Sequence, residues 1–595
     1  MEYCVNIQGS LSAMSQQFAG NTIAYRFYAI GFGAALFAAN FAAQAASVAP
    51  VAAQNGMVVS AQGYATKVGV DVLKKGGNAI DAAVAVGYAL AVVYPAAGNI
   101  GGGGFMTITL ADGRKKFIDF REKAPLAATA NMYLDAKGNV IPKLSADGYL
   151  SAAVPGSVAG FELAREKYGT LPRATLITPA IKLARDGYVL DQGDVDMLES
   201  TTDYFVKDAP SAKIFLNHGH PFKAGEKLVQ KDLAQTLQAI SAKGRDGFYK
   251  GAVARELVRA FKEGKGIMTM EDLSRYQPRE MAPIECNYRG YQIVSAPPPS
   301  SGGVTMCQIL NILEGYPLAT WGFRSVNGTH VQIEAMRHAY VDRNNYLGDP
   351  DFVNNPVAHL LDKNYAAHIR DSISMTKAGV SSEIQIGTAP HEGHNTTHYS
   401  IVDKDGNAVS VTYTLNDWFG AKVTAGKTGV LLNDEMDDFT AKVGEPNMYG
   451  LIQGAANAIA PEKRPLSSMS PTIILRDGKL VMVVGTPGGS RIITSVLHTI
   501  INVIDYGMNI QEATDAPRFH EQWMPDVTNL EDFALSPDTE AKLTEMGHHF
   551  ERGELENHIA AILVGAPKLG GKPVANNKYY GANDPRTGTG LAAGY

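Results

Sequence analysis

Two threonines near the middle of the chain are the first candidates for catalysis. Alternating strand patterns cover residues 396–403 and 407–415 and are joined by a turn that ends at Gly406. A three-residue hairpin loop with Gly406 in the left-handed conformation sets a register in which Thr414 lies directly opposite Thr396. A threonine hydroxyl attacks a carbonyl carbon only when a base takes its proton. The register therefore gives Thr396 a hydroxyl partner at Thr414 and makes it a candidate nucleophile that still lacks a base.

Other catalytic signatures are missing from the sequence. There is no G-x-S-x-G nucleophile turn, and the glycine-rich loops lack the G-K-[ST] ending of a phosphate-binding loop. The segment His391-Glu392-Gly393-His394 is one residue shorter than the H-E-x-x-H motif of zinc proteases, so we interpret it as a solvated loop. Three cysteines supply no ligand set for a structural zinc site. We expect no metal site, and hydroxyl chemistry requires no organic cofactor.

The composition is that of an ordinary globular protein. The 595 residues, 45% hydrophobic and 19% charged, can bury one large core or form two or three domains. A formal charge of -6 offers no basic surface for phosphate backbones, so we exclude nucleic acid as a partner and favour small molecules. Cys286 and Cys307 either form a disulfide or remain two buried thiols, since their sequence separation does not decide their distance in space.

The first 45 residues are predicted to be a signal peptide. An apolar run over 27–41 follows Arg26, and Ala43-Gln44-Ala45 then gives the small-x-small pattern that signal peptidases accept. A membrane anchor is the alternative, but the run is shorter than the roughly 20 apolar residues that a spanning helix needs. No later stretch is long and apolar enough to span a bilayer. We therefore expect a periplasmic or secreted protein that has no membrane contact after signal removal.

Regular elements on both sides of the threonine pair must position it. Helix patterns cover 61–75 and 79–93, and the second is apolar nearly all round, which predicts that it is buried. Four glycines at 101–104 precede a hairpin whose strands are predicted over 105–110 and 116–120. There are no internal repeats, so we expect one intertwined body.

Several loops are long enough to carry a site. The Pro/Ser/Gly-rich segment 296–303 precedes a helix predicted to start near Thr305, and it is either a plain connector or a site loop. Residues 374–395 are polar and predicted to be exposed. The Gly/Asn/Ala-rich segment 443–465 is long enough to act as a lid. A strand predicted over 480–484 then leads into a second glycine-rich loop.

Eight short motifs occur in order between Val58 and Tyr595. They are Gly101-Gly102-Gly103-Gly104-Phe105, Phe120-Arg121-Glu122-Lys123-Ala124-Pro125, Asn395-Thr396-Thr397-His398-Tyr399-Ser400, Thr412-Tyr413-Thr414-Leu415-Asn416, Glu435-Met436-Asp437-Asp438, Arg464-Pro465-Leu466-Ser467-Ser468-Met469-Ser470-Pro471, Pro487-Gly488-Gly489-Ser490-Arg491 and Asp584-Pro585-Arg586. Each is weak alone, but together they are highly specific, and over this range the chain resembles the gamma-glutamyltranspeptidase family. The resemblance implies an α+β fold, a four-layer αββα sandwich of the N-terminal-nucleophile (Ntn) hydrolase type.

The resemblance also implies that the chain cuts itself between Asn395 and Thr396. Attack of the Thr396 hydroxyl on the Asn395 carbonyl, an N-to-O acyl shift and hydrolysis would free an α-amino group with a pKa of about 7.7. That amine can act as the base for its own hydroxyl, and Thr414 would hold the hydroxyl in place. The products would be a large subunit, 46–395, and a small catalytic subunit, 396–595, intertwined in one domain. The Asn395 side chain could perturb the cut, so the maturation rate stays open.

A γ-glutamyl pocket is the next implication of the resemblance. Glutathione carries an α-carboxylate and an α-ammonium, and a buried site must pair both charges. The residues that the resemblance assigns to this pairing are Arg121, Ser467 and Ser468 for the carboxylate, and Asn416, Glu435 and Asp438 for the ammonium. Backbone N–H groups of Gly488 and Gly489 would stabilise the oxyanion, each by about 3 kcal/mol. Tyr449 would close over the bound substrate.

The reaction implied by the resemblance is a ping-pong transfer. Thr396 would take the γ-glutamyl group from glutathione or another γ-glutamyl amide and pass it to water, an amino acid or a dipeptide. One alternative is a glutaryl or cephalosporin acylase of the same fold, which needs no ammonium site and is therefore disfavoured by Glu435 and Asp438. A second alternative is a secreted binding protein that is never processed.

Overall fold

A computed structural model describes residues 47–384, 396–445, 447, 451, 453–555, 557–565, 568–569, 572–573 and 579–595. The predicted signal peptide, Asn395 and Tyr449 lie outside these residues. Within them, no helix has the length and apolar character needed to cross a membrane.

Two antiparallel sheets of seven strands form the centre of the molecule. The first sheet has the spatial order Leu591–Gly594, Met57–Ser60, Thr397–Val402, Ala408–Thr414, Gly103–Thr109, Lys115–Asp119 and Arg279–Met281. The second sheet has the order Val51–Ala53, Tyr579–Asn583, Ala560–Val564, Lys479–Gly485, Thr472–Arg476, Tyr291–Ser295 and Ile284–Tyr288. Smaller sheets contain Phe519–His520, Thr528–Leu530 and Phe550–Arg552, Tyr188–Val189 and Lys227–Leu228, and Lys568–Leu569 and Lys572–Pro573.

Helices cover the outer face of each sheet. Those whose buried side chains join the core over the first sheet are Gly63–Lys74, Ala79–Val93, Ser157–Tyr168, Arg173–Asp186, Gln192–Glu199, Thr202–Phe205, Ala209–Phe215, Lys231–Lys243, Asp246–Tyr249, Gly251–Glu263 and Met270–Arg275. Those over the second sheet are Gly302–Leu313, Leu318–Trp321, Val326–Tyr346, Lys363–Ser372, Arg491–Ile504, Ile510–Asp515 and Pro537–Glu545. Val357–Leu360 joins a small separate cluster with Val304 and Leu466. Short 3-10 turns span Tyr149–Ser151, Ser381–Ile384, Gly426–Thr428, Glu435–Asp438 and Ala455–Asn457.

The layers follow from strands that bury both of their faces. Met57 and Val59 pack between the two sheets, whereas Val58 points into the helical core over the first sheet. Successive side chains of a strand point to opposite faces, so a continuous apolar run serves both interfaces. Helix, sheet, sheet and helix therefore stack in that order, which confirms the predicted αββα sandwich.

The helices near the site begin and end close to the residues predicted from local sequence signals. The buried helix Ala79–Val93 has its predicted bounds, and a capping box between Asn78 and Asp81 fixes its start. The helix predicted to start near Thr305 begins earlier, at Gly302. A disulfide joins Cys286 to Cys307, with Cα atoms 6.0 Å apart, and ties this helix to an edge strand of the second sheet. Of the two alternatives that the sequence left open, a disulfide or two buried thiols, the structure has the disulfide.

Candidate active site

The hairpin that carries Thr396 has the predicted register. The N–H of Asp403 donates to the Asn407 carbonyl at 3.1 Å, and Gly406 closes the turn with φ of 93°. The ladder continues along the two strands until Thr397 faces Tyr413, so Thr396 lies opposite Thr414. The Thr396 hydroxyl donates to the Thr414 hydroxyl at 3.4 Å, and both residues are buried.

Thr414 is held from three sides. Its hydroxyl oxygen accepts the N–H of Asn416 at 2.8 Å, and its carbonyl accepts the Asn99 side-chain amide at 2.8 Å. Gly102 lies against the same carbonyl so closely that a Cβ there would be 2.0 Å from the Thr414 oxygen. The glycine run at 101–104 therefore packs against the site, a role that the sequence did not reveal.

One pocket collects most of the predicted site residues. Those that line it are Arg121, Thr396, Thr414, Asn416, Glu435, Asp438, Ser467, Ser468 and Gly489, together with Arg343, Leu451, Leu466, Met469, Ser490 and Ile492. Gly488 precedes Gly489 in the chain but is not part of the lining. The nucleophile candidate and the charged candidates thus face the same cavity.

Arg121 is surrounded by carboxylates. Its guanidinium, fully buried, donates to Glu435 and to Asp438 and lies 3.7 Å from Glu122. The Nε atom also donates to the Pro465 carbonyl at 3.2 Å. One cation is therefore shared among three carboxylates, and Glu122 is a member of this cluster that the sequence analysis did not single out.

The carboxylates of this cluster hold their protons more strongly than usual. Burial raises the pKa of Glu122 to about 7, although the Arg121 charge opposes the rise. Burial also raises the pKa values of Glu435 and Asp438, and at Glu435 the neighbouring negative charges add to the rise. Burial disfavours the charged form of Arg121, but the three carboxylates outweigh it and raise its pKa. The pocket can therefore accept an additional positive charge by releasing protons.

The two serines lie on a loop that the Pro/Ser/Gly-rich segment supports. Ser301 donates its N–H to the Ser467 carbonyl at 2.7 Å, so segment 296–303 is more than a connector. Arg343 donates to the Ser468 hydroxyl at 2.9 Å and to the Ser301 hydroxyl at 3.0 Å. Burial lowers the pKa of Arg343 to about 10. Arg343 is a second buried cation at the pocket, and no motif in the sequence identified it.

Gly488 and Gly489 form the turn before the helix Arg491–Ile504. Their φ values are 126° and 54°, in the region that side chains rarely adopt. A Cβ at Gly488 would lie 1.9 Å from the side-chain nitrogen of Asn557, which donates to the Pro487 carbonyl. The start of a helix favours negative charge, so this turn is suited to an oxyanion.

Sequence comparison identifies the family to which this site belongs. Residues 65–594 match the family described as gamma-glutamyltranspeptidase. The chain belongs to the gamma-glutamyltranspeptidase family. It is 71% identical over 562 residues to the glutathione hydrolase proenzyme of Pseudomonas sp. (strain A14), which covers 94% of this chain and 98% of that protein. It is 50% identical over 548 residues to the glutathione hydrolase proenzyme of Escherichia coli (strain K12), with 92% and 93% covered.

Structural comparison agrees with this family. The cephalosporin acylase from Bacillus halodurans matches with a TM-score of 0.79 and 27% sequence identity, covering 94% of this chain and 99% of that one. The predicted family, the Ntn-hydrolase fold and the enzyme class are therefore confirmed. The roles assigned to single residues stay predictions.

Parts of the transpeptidase site lie outside the described residues. Tyr449 and Asn395 are among them, so the substrate-covering role and the cleavage site remain predictions. Described parts of the predicted lid contact the pocket: Leu451 lines it, and Gln453 and Asn457 donate to the Asp438 carbonyl at 3.1 and 2.6 Å. The lid segment thus contributes to holding one of the acidic residues.

Proposed function

We propose that this protein is a gamma-glutamyltranspeptidase that cuts itself before Thr396 and then transfers the γ-glutamyl group of glutathione and other γ-glutamyl amides. The observation that carries the proposal is the hydrogen bond from the Thr396 hydroxyl to Thr414 beside the buried cluster around Arg121. A nucleophile and a binding site for a zwitterion share one pocket. Family membership and the 71% identical glutathione hydrolase support the same conclusion.

Cleavage would create the general base. In the uncut chain the Thr396 nitrogen is an amide and cannot take a proton. After the cut it becomes an α-amine, which can accept the proton of its own hydroxyl as that oxygen attacks the γ-carbonyl. The leaving amine then takes the proton, and a γ-glutamyl ester remains on Thr396. Water, an amino acid or a dipeptide attacks this ester in the second half of the reaction.

Recognition of the donor would proceed by an exchange of ion pairs. Arg121 is paired with Glu435 and Asp438. The α-ammonium of the donor can take over these carboxylates together with Asn416, which leaves the guanidinium available to the α-carboxylate. Ser467 and Ser468 would donate to that carboxylate from the opposite loop. A zwitterion that inserts here replaces one set of buried pairs with another.

The tetrahedral intermediate would be stabilised from the helix start. Backbone N–H groups at Gly488 and Gly489 are proposed to donate to the oxyanion, with Tyr449 covering the substrate. We also propose that residues 1–45 direct export to the periplasm or the medium, and that 46–395 and 396–595 remain together as large and small subunits.

An acylase is the main alternative activity, because the structural match with the cephalosporin acylase covers nearly the whole chain. A glutaryl donor lacks the α-ammonium, and its binding would leave Glu435 and Asp438 without a cationic ligand group. Desolvated carboxylates without such a partner are unfavourable. The acidic cluster therefore supports a γ-glutamyl donor.

Activity on a chromogenic γ-glutamyl anilide, compared between wild type and Thr396→Ala, tests the proposal. The wild type should run as two bands on a denaturing gel and release the chromophore. Thr396→Ala should run as one band and be inactive, because it lacks both the attacking hydroxyl and the processed α-amine. A glutaryl anilide serves as the control donor. Faster turnover of the glutaryl compound would favour the acylase, and an active, uncut wild type would refute the mechanism.

A further inference from the structure

A second cluster of reactive side chains lies outside the pocket. His330 and Glu334 are one turn apart on the helix Val326–Tyr346, which places them on the same face. His548 follows the helix Pro537–Glu545 and contacts His330. All three side chains are buried, and one ligand atom from each lies within 4.8 Å of the others. Imidazole and carboxylate groups at this spacing are typical of a transition-metal site.

Hydrogen bonds to a backbone carbonyl and to His548 orient the His330 imidazole. Nε2 of His330 lies 2.7 Å from the Ser374 carbonyl, which can only accept, so this nitrogen carries the proton. Nδ1 of His330 is then unprotonated and accepts from Nε2 of His548 at 2.8 Å. A ring N–H that donates to a backbone carbonyl is the usual outer-shell support of a metal-bound histidine. One proton now occupies the position that a metal ion would take.

The charge around Glu334 is incompletely balanced. Its Oε1 atom is buried and has no hydrogen-bond partner within the described part of the chain. The nearby cation is Arg337, whose Nε is 3.5 Å from this oxygen. That guanidinium also donates to Asp526 and lies 3.8 Å from Glu521. One guanidinium thus serves several carboxylates, and a buried carboxylate without full pairing is costly.

We propose that His330, Glu334 and His548 bind one divalent transition-metal ion, with zinc as the best fit. Zinc would take these two imidazoles and the carboxylate at about 2.0–2.2 Å, with a water molecule as the fourth ligand of a tetrahedron. The distance between the two imidazole nitrogens would increase from 2.8 Å to about 3.3 Å, because each nitrogen must lie about 2.0 Å from the zinc ion. To bind through Nε2 as a neutral imidazole, His548 must carry its proton on Nδ1 instead, an atom that is buried and has no hydrogen-bond partner within the described residues. The ion supplies the positive charge that Glu334 lacks.

The position of the cluster indicates a structural role. His330 and Glu334 belong to the proposed large subunit, and His548 belongs to the proposed small subunit, a division that rests on the proposed function. The Ser374 carbonyl lies on the segment that leads toward the cleavage site. A metal bound here would hold the two subunits together near the end of the large one. It would raise thermal stability without changing turnover.

Direct metal binding to tag-free protein tests the proposal. Protein from zinc-supplemented cultures is dialysed against a weak chelator and analysed by mass spectrometry for metal. Wild type should retain about one zinc ion per chain, and Glu334→Gln and His548→Asn should each retain at least tenfold less. His549→Asn changes the neighbouring exposed histidine and should behave as wild type. Removal of zinc with a strong chelator should lower the melting temperatures of wild type and His549→Asn but not those of Glu334→Gln and His548→Asn.

Two further experiments test whether the ion is bound by these three residues. Cobalt(II) reconstitution should give the intense visible absorption of a tetrahedral site in wild type but not in Glu334→Gln. The double variant His391→Ala/His394→Ala tests whether the histidines of the polar segment 374–395 bind the ion instead. Wild type with less than a tenth of an equivalent of zinc would overturn the proposal. Loss of zinc in His391→Ala/His394→Ala with retention in Glu334→Gln would do the same.

Discussion

At the scale of single residues, Thr414 is the side chain that we propose orients the nucleophile. Its hydroxyl oxygen accepts from the Thr396 hydroxyl at 3.4 Å and from the Asn416 N–H at 2.8 Å. Two acceptor lone pairs permit both bonds at once. Thr414 therefore links the nucleophile to a residue proposed to bind the α-ammonium.

Replacing Thr414 with valine should slow turnover. Valine keeps the shape but removes the acceptor, and one hydrogen bond is worth about 1 kcal/mol, which corresponds to a several-fold to tenfold loss in kcat. Thr414→Ser retains the hydroxyl and is the matched control. Steady-state kinetics on a γ-glutamyl anilide with fully cleaved protein measures the difference. Equal kcat values for the valine and serine variants would show that Thr414 does not position the nucleophile.

Binding of a γ-glutamyl group should depend on pH through the acidic cluster. Burial raises the pKa of Glu122 to about 7 and also raises those of Glu435 and Asp438, so the ionised forms that attract an ammonium become more populated as pH rises toward and above 7. The inhibition constant of L-glutamate should therefore fall, meaning tighter binding, as pH rises from 5 to 8. The change should approach tenfold per pH unit below the transition, because 1.4 kcal/mol corresponds to one pKa unit.

Glu122→Gln identifies the cluster as the source of this pH dependence. The Glu122 charge raises the pKa of Glu435, so its removal should shift the transition to lower pH. Glutarate, which has no ammonium, is the control ligand and should not bind more tightly as pH rises. Identical pH profiles for glutamate in wild type and Glu122→Gln would contradict this account.

At the scale of elements, the sequence predicted the helices and hairpins that depend on residues nearby in the chain. The hairpin at Thr396 was predicted because its period of two and its Gly406 turn are local signals, and the helix Ala79–Val93 because it is apolar nearly all round. The contribution of Arg343 was not predictable from its local sequence. It contacts Ser468, 125 positions away, and nothing around Arg343 signals that pairing. Contacts of this length depend on how the layers stack.

The glycine run at 101–104 gives a prediction at the same scale. In Gly102→Ala the new Cβ would meet the Thr414 carbonyl at 2.0 Å, so either the strand end or the glycine loop must move. Overpacking of this kind costs about 1–3 kcal/mol in the free energy of unfolding. We expect a lower melting temperature. We also expect reduced activity at temperatures where the variant is still folded, since Thr414 is displaced. Thermal melts and anilide kinetics on the same samples measure both.

Gly553→Ala is the matched control for this substitution. Gly553 is exposed, and a Cβ there meets nothing within 4 Å. Its stability and activity should match wild type. If Gly102→Ala also matched wild type in both measurements, the close packing of the glycine run would not be needed for the site.

At the scale of the whole molecule, both sheets mix strands from the two sides of the proposed cleavage site. In the first sheet, Met57–Ser60 lies between Leu591–Gly594 and Thr397–Val402. In the second sheet, strands from the C-terminal part fill the centre, and strands from the N-terminal part lie at both edges. Neither subunit can form its sheets alone, because each would lose hydrogen-bonded neighbours and expose buried apolar faces. Cleavage therefore changes the connectivity of the chain without dividing the core.

The cleaved protein should consequently unfold and dissociate in one step. Both subunits should elute together in size-exclusion chromatography and lose secondary structure in a single denaturant transition. The two subunits separate when the cleaved protein unfolds. Tenfold dilution should therefore destabilise the cleaved protein by about 1.4 kcal/mol and lower the denaturant concentration at its unfolding midpoint. The uncut Thr396→Ala chain is the control, and its midpoint should not depend on concentration. Separation of the subunits without denaturant, or two transitions assigned to the two subunits, would show that the sheets do not form one cooperative core.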